Sequence, residues 1–361
     1  TEFSFIHTPL EAGANHTYTI EAVYADGNAI VSTPETASAL PLVCIPSTYQ
    51  PTGMVAYYNF EGNLDDSAGS YNLSETGNSI VYSKGCVNGK TGHFDGDGGY
   101  GYNLDFTDDN VSEVADGSFS ISVWVNADED MNKWASVFST TAVVDKDDIE
   151  GDGWGKGFQL NVTDNMTPEL FACKHCNNNQ KLTAPNRLKL GEWTHLAVTI
   201  GNRTAKLYID GELVGTKDNM DTEFNLLKVG LNRRGREPWK GYIDEFMIFG
   251  DTLTDEEVMV VYKNTLPGTP ENVAAVNGPG DNVVVGWEAV DGVNEYRVYY
   301  STNGNIDENS PYFTVEGGTV FNHENVTPEQ KYTYAVAGVS PLGLGELSAP
   351  TSVTVDGMSG Y

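Results

Sequence analysis

Hydrophobic and polar residues alternate with period two along many short stretches of this chain, and rarely recur at helical spacing. Ten stretches in the middle of the chain carry the pattern or a short apolar run: Met54–Phe60, His93–Phe94, Phe119–Val125, Ala135–Ser139, Phe158–Val162, Glu169–Ala172, Trp193–Ile200, Thr204–Ile209, Leu226–Val229 and Gly241–Phe249. Side chains on a strand point alternately to its two faces, so such stretches bury one face and wet the other. One segment departs from the pattern. TDEEVMVVYK (Thr254–Lys263) predicts a helix, with Thr254 as N-cap and Glu257 closing a capping box. Pro46, Pro51, Pro267 and Pro270 punctuate the ends of this block. Ten strands in one block suit two sheets packed face to face.

Two outer segments repeat each other. LEAGANHTYTIEAVYADGNAIVSTPETASA (Leu10 to Ala39) and VTPEQKYTYAVAGVSPLGLGELSAPTSVTV (Val326 to Val355) each open an alternating strand with a tyrosine, Tyr18 or Tyr332. A turn and a Ser/Pro-containing stretch follow in both. The second copy is preceded by further strands at Pro270–Val276, Asn282–Trp287, Glu295–Tyr300 and Tyr312–Val315. Over residues 268–356 this resembles the fibronectin type III fold, with Trp287 as the core tryptophan and Tyr332 as the corner tyrosine. The first copy, within residues 1–43, holds only the last strands of such a unit and reads as its C-terminal half. The chain opens at Thr1 inside that half-domain, so the expectation is that the true N-terminus lies elsewhere.

The central block carries a second resemblance. AYYNFEGNLDDSAG, GHFDGDGGYGY, FSISVWVNA, GEWTHLAVTIGNRTAKLYIDGELVG and GYIDEFMIFGDTLTDEEVMVVYKN follow in that order. Residues 44–264 thereby resemble the laminin-G-like, concanavalin-A-like jelly-roll family. The fold class expected for the chain is all-β: a concanavalin-A-like jelly-roll sandwich plus an immunoglobulin-like (fibronectin type III) sandwich. The resemblance implies a module that binds glycans or proteins, with bound calcium common, in secreted bacterial polysaccharide-degrading proteins and adhesins.

Composition narrows the partners. Of 361 residues, 51 are acidic and 20 are Lys or Arg, for a formal net charge of −31. That surface repels phosphate backbones, so nucleic acid is not the partner. No apolar run reaches the ~20 residues of a membrane helix, so no membrane insertion is expected. The four cysteines are too sparse for a disulfide scaffold. Cys44 and Cys86 sit in loop-like segments and can bridge the first linker to the central block. Cys173 and Cys176 form CKHC, which lacks the second ligand pair a structural zinc needs. Two disulfides in an oxidising compartment, extracellular or at the cell surface, are the expectation.

Catalysis is not expected. Glucanases of this sandwich carry two carboxylates on one strand face as acid and nucleophile. Here Asp244 and Glu245 are adjacent, which on a regular strand sends them to opposite faces. No catalytic residue is therefore assigned. Calcium has two candidate donor sets. Glu61 closes the first strand, Asp66 lies in the following turn and Asp244 lies on the last strand, which should neighbour the first. The second set is Asp148, Glu150 and Asp152, which imitate the start of a calcium loop whose twelfth position is Gln159. Either set can equally be carboxylates that hydrogen-bond turns or solvate a loop.

Ligand contacts have their own candidates. Trp134, Trp154 and Trp239 sit in loop-like segments, where an exposed indole face can stack on a sugar ring. Arg233, Arg234 and Arg236 form the basic cluster beside Trp239 and can read a carboxylate or sulfate. Alternatively, the indoles cap the sandwich and the arginines neutralise local carboxylates. These residues lead to a non-catalytic, calcium-stabilised extracellular module that binds a polysaccharide or a cell-surface glycan or protein. Two other readings stand beside it: a structural spacer or subunit of an adhesin, filament or surface layer, self-associating through the N-terminal half-domain, and an accessory region of a polysaccharide-degrading enzyme.

Overall fold

The computed structural model describes residues 15–18, 21–23, 29–31, 35–38, 53–77, 80–84, 90–103, 117–141, 157–173, 180–220, 224, 226–290, 293–340 and 343–356. In the N-terminal segment, β1 (Asn15–Tyr18) pairs with β4 (Glu35–Ser38), and β2 (Glu21–Val23) pairs with β3 (Ala29–Val31). The single strand expected from Tyr18 onward is thus divided between two ribbons with different partners.

The central block is a sandwich of two antiparallel sheets. The eight-stranded sheet runs β17 (Glu212–Lys217), β16 (Thr204–Ile209), β15 (Trp193–Gly201), β10 (Phe119–Ala127), β19 (Lys240–Phe249), β8 (Lys90–Asp95) and β7 (Val81–Lys84), with β5 (Met54–Tyr58) also on β19. The seven-stranded sheet runs β14 (Gln180–Thr183), β13 (Pro168–Cys173), β12 (Gly157–Val162), β11 (Ser136–Thr141), β18 (Leu226–Val229), β9 (Tyr100–Asn103) and β6 (Ser74–Thr76). Alternate residues of facing strands fill the space between. Phe119, Ile121, Val123 and Val125 of β10 and Leu196, Val198 and Ile200 of β15 meet Phe158, Leu160 and Val162 of β12 and Leu170 of β13 in one buried cluster. Edge-to-face rings knit the two sheets, with Phe119 and Phe158 centroids 5.8 Å apart and Phe138 and Phe246 5.6 Å apart.

The other face of the eight-stranded sheet is sealed by α1 (Asp255–Asn264). Thr254 Oγ1 accepts the Glu257 N–H, and the Glu257 carboxylate accepts the Thr254 N–H, which is the capping box the sequence predicts. Val258 and Val261 of the helix pack on Tyr57, Ala197, Tyr208, Met247 and Phe249. Trp124, also on this face, donates its indole N–H to Thr265 Oγ1 at 3.0 Å.

Residues 274–354 contain a further pair of sheets. One is β20 (Ala274–Asn277), β21 (Val283–Gly286) and β24 (Val320–His323). The other is β22 (Glu295–Ser301), β23 (Tyr312–Glu316), β25 (Lys331–Ser340), β26 (Gly343–Leu344) and β27 (Thr351–Thr354). They enclose a core of their own around Trp287, Tyr296, Val298, Tyr334 and Val336. The Tyr332 hydroxyl accepts the Thr327 N–H at 3.2 Å, pinning the turn before β25.

Candidate functional site: the polar face of the seven-stranded sheet

Register decides which side chains share the outward face of the seven-stranded sheet. The row Leu182, Leu170, Leu160, Phe138 and Val229 is cross-strand paired and points into the core. The neighbouring row is Lys181, Phe171, Gln159, Ser139, Lys228 and Tyr102, each opposite the next. Because strand side chains alternate, this row lies on the opposite face. One pleat along, Thr183, Glu169, Asn161 and Ser136 form a second outward row. Two lines of amides, hydroxyls, a carboxylate and amines therefore cross a sheet whose reverse is mainly apolar.

These groups are tied together. Gln159 Nε2 donates to Asn161 Oδ1 at 3.2 Å, and Arg233 Nη1 donates to Gln159 Oε1 at 2.8 Å. Glu169 accepts from Lys181 Nζ at 3.1 Å and from Thr183 Oγ1 at 2.9 Å. Lys228, almost fully buried, sits over the Tyr100 ring at 5.6 Å. Buried polar atoms must be bonded, and this network largely meets that need. The face opens to solvent at its β13–β14 end, where Phe171 is half-buried and Lys181 and Thr183 are exposed.

Two of the sequence-predicted ligand residues meet there. Trp134, in the turn before β11 and in the left-handed backbone region at φ 61°, is 37% exposed. Lys181 Nζ lies 5.3 Å from its ring centre and 5.8 Å from that of Phe171. The Arg233 guanidinium stacks on Phe171 at 4.6 Å. Trp134, Lys181, Phe171 and Arg233 so form a chain of alternating rings and cations. Arg233 is only 8% exposed. Burial first, and then the adjacent Arg234 charge, push its guanidinium down to about 10.

Arg234 and Arg236 go elsewhere. With Asp97, Tyr100, Leu231 and Pro238 they line a cavity of about 540 Å³ at the rim, beside the ends of β6 and β9. Their loop is shaped by Asn232, whose side-chain carbonyl accepts the N–H groups of both Arg234 and Arg236 at 2.9 Å. The three arginines are therefore not one cluster but one residue on the sheet face and two in the rim pocket.

Trp239 is a correction. Its loop position suggests an exposed stacking indole, but it is 0% exposed and belongs to the sandwich core. A ring that no solvent reaches cannot stack on a surface ligand. The apolar side chains on either side of the sandwich outcompete the Lys and Glu neighbours that made it look exposed. Trp154, Asp148, Glu150, Asp152, Cys44, Cys86 and Cys176 lie outside the described residues, and of Cys173 only the backbone, at the end of β13, is described.

The first calcium set does not converge. Strands β5 and β19 are neighbours as expected, with Tyr58 opposite Phe246. However, Asp66 accepts the N–H groups of Tyr57, Ala68 and Tyr71 at 2.9, 2.9 and 3.0 Å, so both its oxygens brace the turn. Glu61 accepts the Lys90 N–H at 3.0 Å. Among the described residues no group of three His, Cys, Asp or Glu is placed to hold a metal.

Asp244 and Glu245 also depart from expectation. A bulge in β19 opposes two residues to one of β10, and Glu245 takes φ 49°. Asp244 pairs with Trp124, on the helix-covered face, while Glu245 Oε2 accepts the Tyr57 hydroxyl on that same face at 2.6 Å. The two carboxylates thus share a face instead of opposing one another. Both are 0% exposed, so no substrate reaches them there. Burial and then the Glu245 charge push the Tyr57 phenol far up.

Phe171, Lys181, Asn161, Glu169 and Lys228 did not stand out in the sequence, and Gln159 did so only as the twelfth position of the candidate calcium loop. Their signal was present in GFQLNV and PELFAC, where Gln, Asn and Glu alternate with core residues on strands that need no wet face to be so polar.

Several known proteins are similar to parts of this chain. An amylopullulanase of Thermoanaerobacterium saccharolyticum is 38% identical over 80 residues, which is 22% of this chain and only 6% of that enzyme's length. Domain 4 of an extracellular arabinanase from Geobacillus stearothermophilus, solved with arabinotriose, aligns at 22% identity and TM-score 0.46 over 58% of this chain and 98% of that one. The sialidase CBM40 of Ruminococcus gnavus, solved with sialyllactose, aligns at 20% identity and TM-score 0.34 over 40% of this chain and 82% of its own. The botulinum neurotoxin serotype D binding domain aligns at 14% identity and TM-score 0.46 over 84% and 93%. Residues 97–259, most of the two-sheet sandwich, match the concanavalin A-like lectin/glucanases superfamily.

Proposed function

We propose that this chain is a non-catalytic carbohydrate-binding module of a larger secreted protein, and that it holds glycan against the polar face of the seven-stranded sheet. The observation that carries the reading is the cross-strand row ending in Phe171 and Lys181, with the exposed Trp134 indole beside it. An aromatic face next to fixed amides and a carboxylate is what a sugar needs: its C–H face stacks and its hydroxyls hydrogen-bond. The superfamily match and the partial match to an amylopullulanase support the same reading. Role cannot follow from the fold alone, so the site has to carry it.

The test is a glycan array with the full chain, followed by titration of any hit against Trp134→Ala and Phe171→Ala. Loss of binding in both variants, with the melting temperature held, is expected. Unchanged binding in both would overturn this placement. Calcium dependence is a separate proposal resting on Asp148, Glu150 and Asp152, and is read by running the array with calcium and with chelator. A spacer role is the second reading, favoured by the independent core around Trp287. It predicts an array with no hits.

A further inference from the structure

The helix α1 covers only part of the outward face of the eight-stranded sheet. Its Val258 and Val261 lie on Ala197, Met247 and Tyr57, which share the cross-strand row of Ser122. Two rows along the strands, Trp193 stands opposite Asn126, Asn126 opposite Tyr242, Tyr242 opposite His93, and His93 opposite Val81. Their sequence neighbours Val125, Ile243 and Phe94 are in the core, so this row faces outward. Five strands contribute one residue each, which makes the row about 19 Å long. Val81 is 57% exposed, and Trp193, Asn126, Tyr242 and His93 are half-buried. Aromatic rings that solvent reaches, lined up across a rigid sheet, mark a surface built for a partner.

The rings are held in place. Trp193 is backed by Trp124, and His93 Nε2 lies 3.0 Å from Asp128 Oδ2. Trp193 and Tyr242 centroids are 6.1 Å apart and Tyr242 and His93 centroids 4.5 Å, with planes inclined by 45° and 55°. Such a corrugated line suits the turning rings of a single glycan chain rather than a flat crystalline surface. Asn126 Nδ2 donates to Gly191 O at 3.1 Å, which leaves its carbonyl oxygen as the acceptor beside the rings. Along one margin, Lys240 stands opposite Asp95, pairs with Asp130 and has Asp128 near it. Three carboxylates around one ammonium leave this margin negative, so it repels acidic sugars and offers acceptors to neutral hydroxyls. An apolar protein surface pressed here would bury those carboxylates without partners.

We propose that the Trp193–Tyr242–His93 row is a second binding site, which holds one chain of a neutral polysaccharide on the side of the sandwich opposite the polar face. Sugar C–H faces lie against the rings, and hydroxyls bond to Asn126 and to the carboxylate margin. The two sites lie back to back across the sandwich, so each takes its own stretch of glycan and the module ties two chains together. This site does not depend on the one around Trp134, and either can fail alone.

The experiment is affinity electrophoresis of the full chain in native gels containing pullulan, arabinan, xylan or galactomannan, with polygalacturonate as the acidic counterpart. Wild type, W134A, Y242A and W193A are compared. At least one neutral gel should retard wild type in a way that W134A retains, and the affinity read from it should fall about three- to ten-fold in Y242A and W193A. Retardation that W134A loses while Y242A and W193A keep it in every gel overturns this inference and leaves the polar face standing. Retardation that only Y242A and W193A lose supports this row and counts against the polar face. No retardation in any gel, with no hit on the array, overturns both. Retardation by polygalacturonate that Y242A removes overturns the neutral class. If W193A does not fold because Trp124 loses its cover, Y242A decides by the same readout.

Discussion

The two outward faces of the central sandwich contrast sharply although both belong to antiparallel sheets with the same apolar interior. The eight-stranded sheet turns Tyr57, Ala197, Tyr208, Met247 and Phe249 outward and covers them with α1. The seven-stranded sheet turns Gln159, Asn161, Glu169, Lys181 and Lys228 outward. Apolar area buried under a helix is worth about 25 cal/mol per Å², and once covered it is unavailable to a ligand. A face of paired polar groups gains little from being covered by apolar chain and keeps specific donors and acceptors in place. The lesson is that one sheet spends the helix-covered part of its outer face on stability, while the other keeps donors and acceptors uncovered, as the proposed glycan site requires.

Breaking the shared interior should have the largest effect. Trp239→Ala removes a fully buried indole and should lower stability by about 3–5 kcal/mol, read by denaturant unfolding. A loss below about 1 kcal/mol would show that the ring is not held in the core.

Next in size is the anchor beside the sealed face. Asp66 accepts three backbone N–H groups around β5. Asp66→Ala should cost about 2–3 kcal/mol, by the same amount in calcium and in chelator. A cost present only with calcium would return Asp66 to a metal site.

The sealed face also predicts a pH dependence. His195 lies beneath Tyr262 of α1, bonded to Ser122 Oγ at 2.7 Å, and burial pushes its imidazole from 6.5 down to about 3. The folded state holds it neutral, whereas the unfolded chain takes up a proton near pH 6.5. Its share of stability is therefore complete above that pH and is lost progressively as pH falls toward 3. Relative to His195→Asn, wild type should lose about 1.4 kcal/mol per pH unit in this window. A difference that stays flat with pH would mean the ring is solvated there.

A smaller loss tests the cover itself. Thr254→Ala deletes the N-cap of α1 and should cost about 1 kcal/mol, raising hydrogen exchange in the helix before the sheets. The smallest effect belongs to the polar face. Trp134→Ala should change stability by less than about 0.5 kcal/mol while abolishing glycan binding. A large drop in melting temperature with binding intact would move Trp134 to the structural side of the comparison.

Much of this architecture was legible in residue order. Alternation in FSISVWVNA and WTHLAVTIG marked β10 and β15, and Thr254 with Glu257 marked the start of α1, because period and capping are local properties. Short edge strands such as β6, β14 and β17 were not marked, since three to six residues of mixed polarity carry little periodic signal. Among candidate site residues, Trp134 and Arg233 stood out in the sequence by residue type alone. Trp239 was misjudged from its neighbours, because burial depends on what packs from across the chain. The β19 bulge that brings Asp244 and Glu245 to one face has no counterpart in simple alternation either.

By itself, the sequence determined the strand periodicity, the helix α1 and its cap, and the apolar reserve that makes a two-sheet sandwich. These follow from the geometry of a single strand or turn. Only the tertiary structure decided which strands stand side by side, and hence that Lys181, Phe171, Gln159, Ser139 and Lys228 form one row. It also parted Arg233 from Arg234 and Arg236, and drew Trp239 inward. The reason is that register and burial are set by contacts between residues far apart in the chain, where pairing and exclusion of water outweigh local preference.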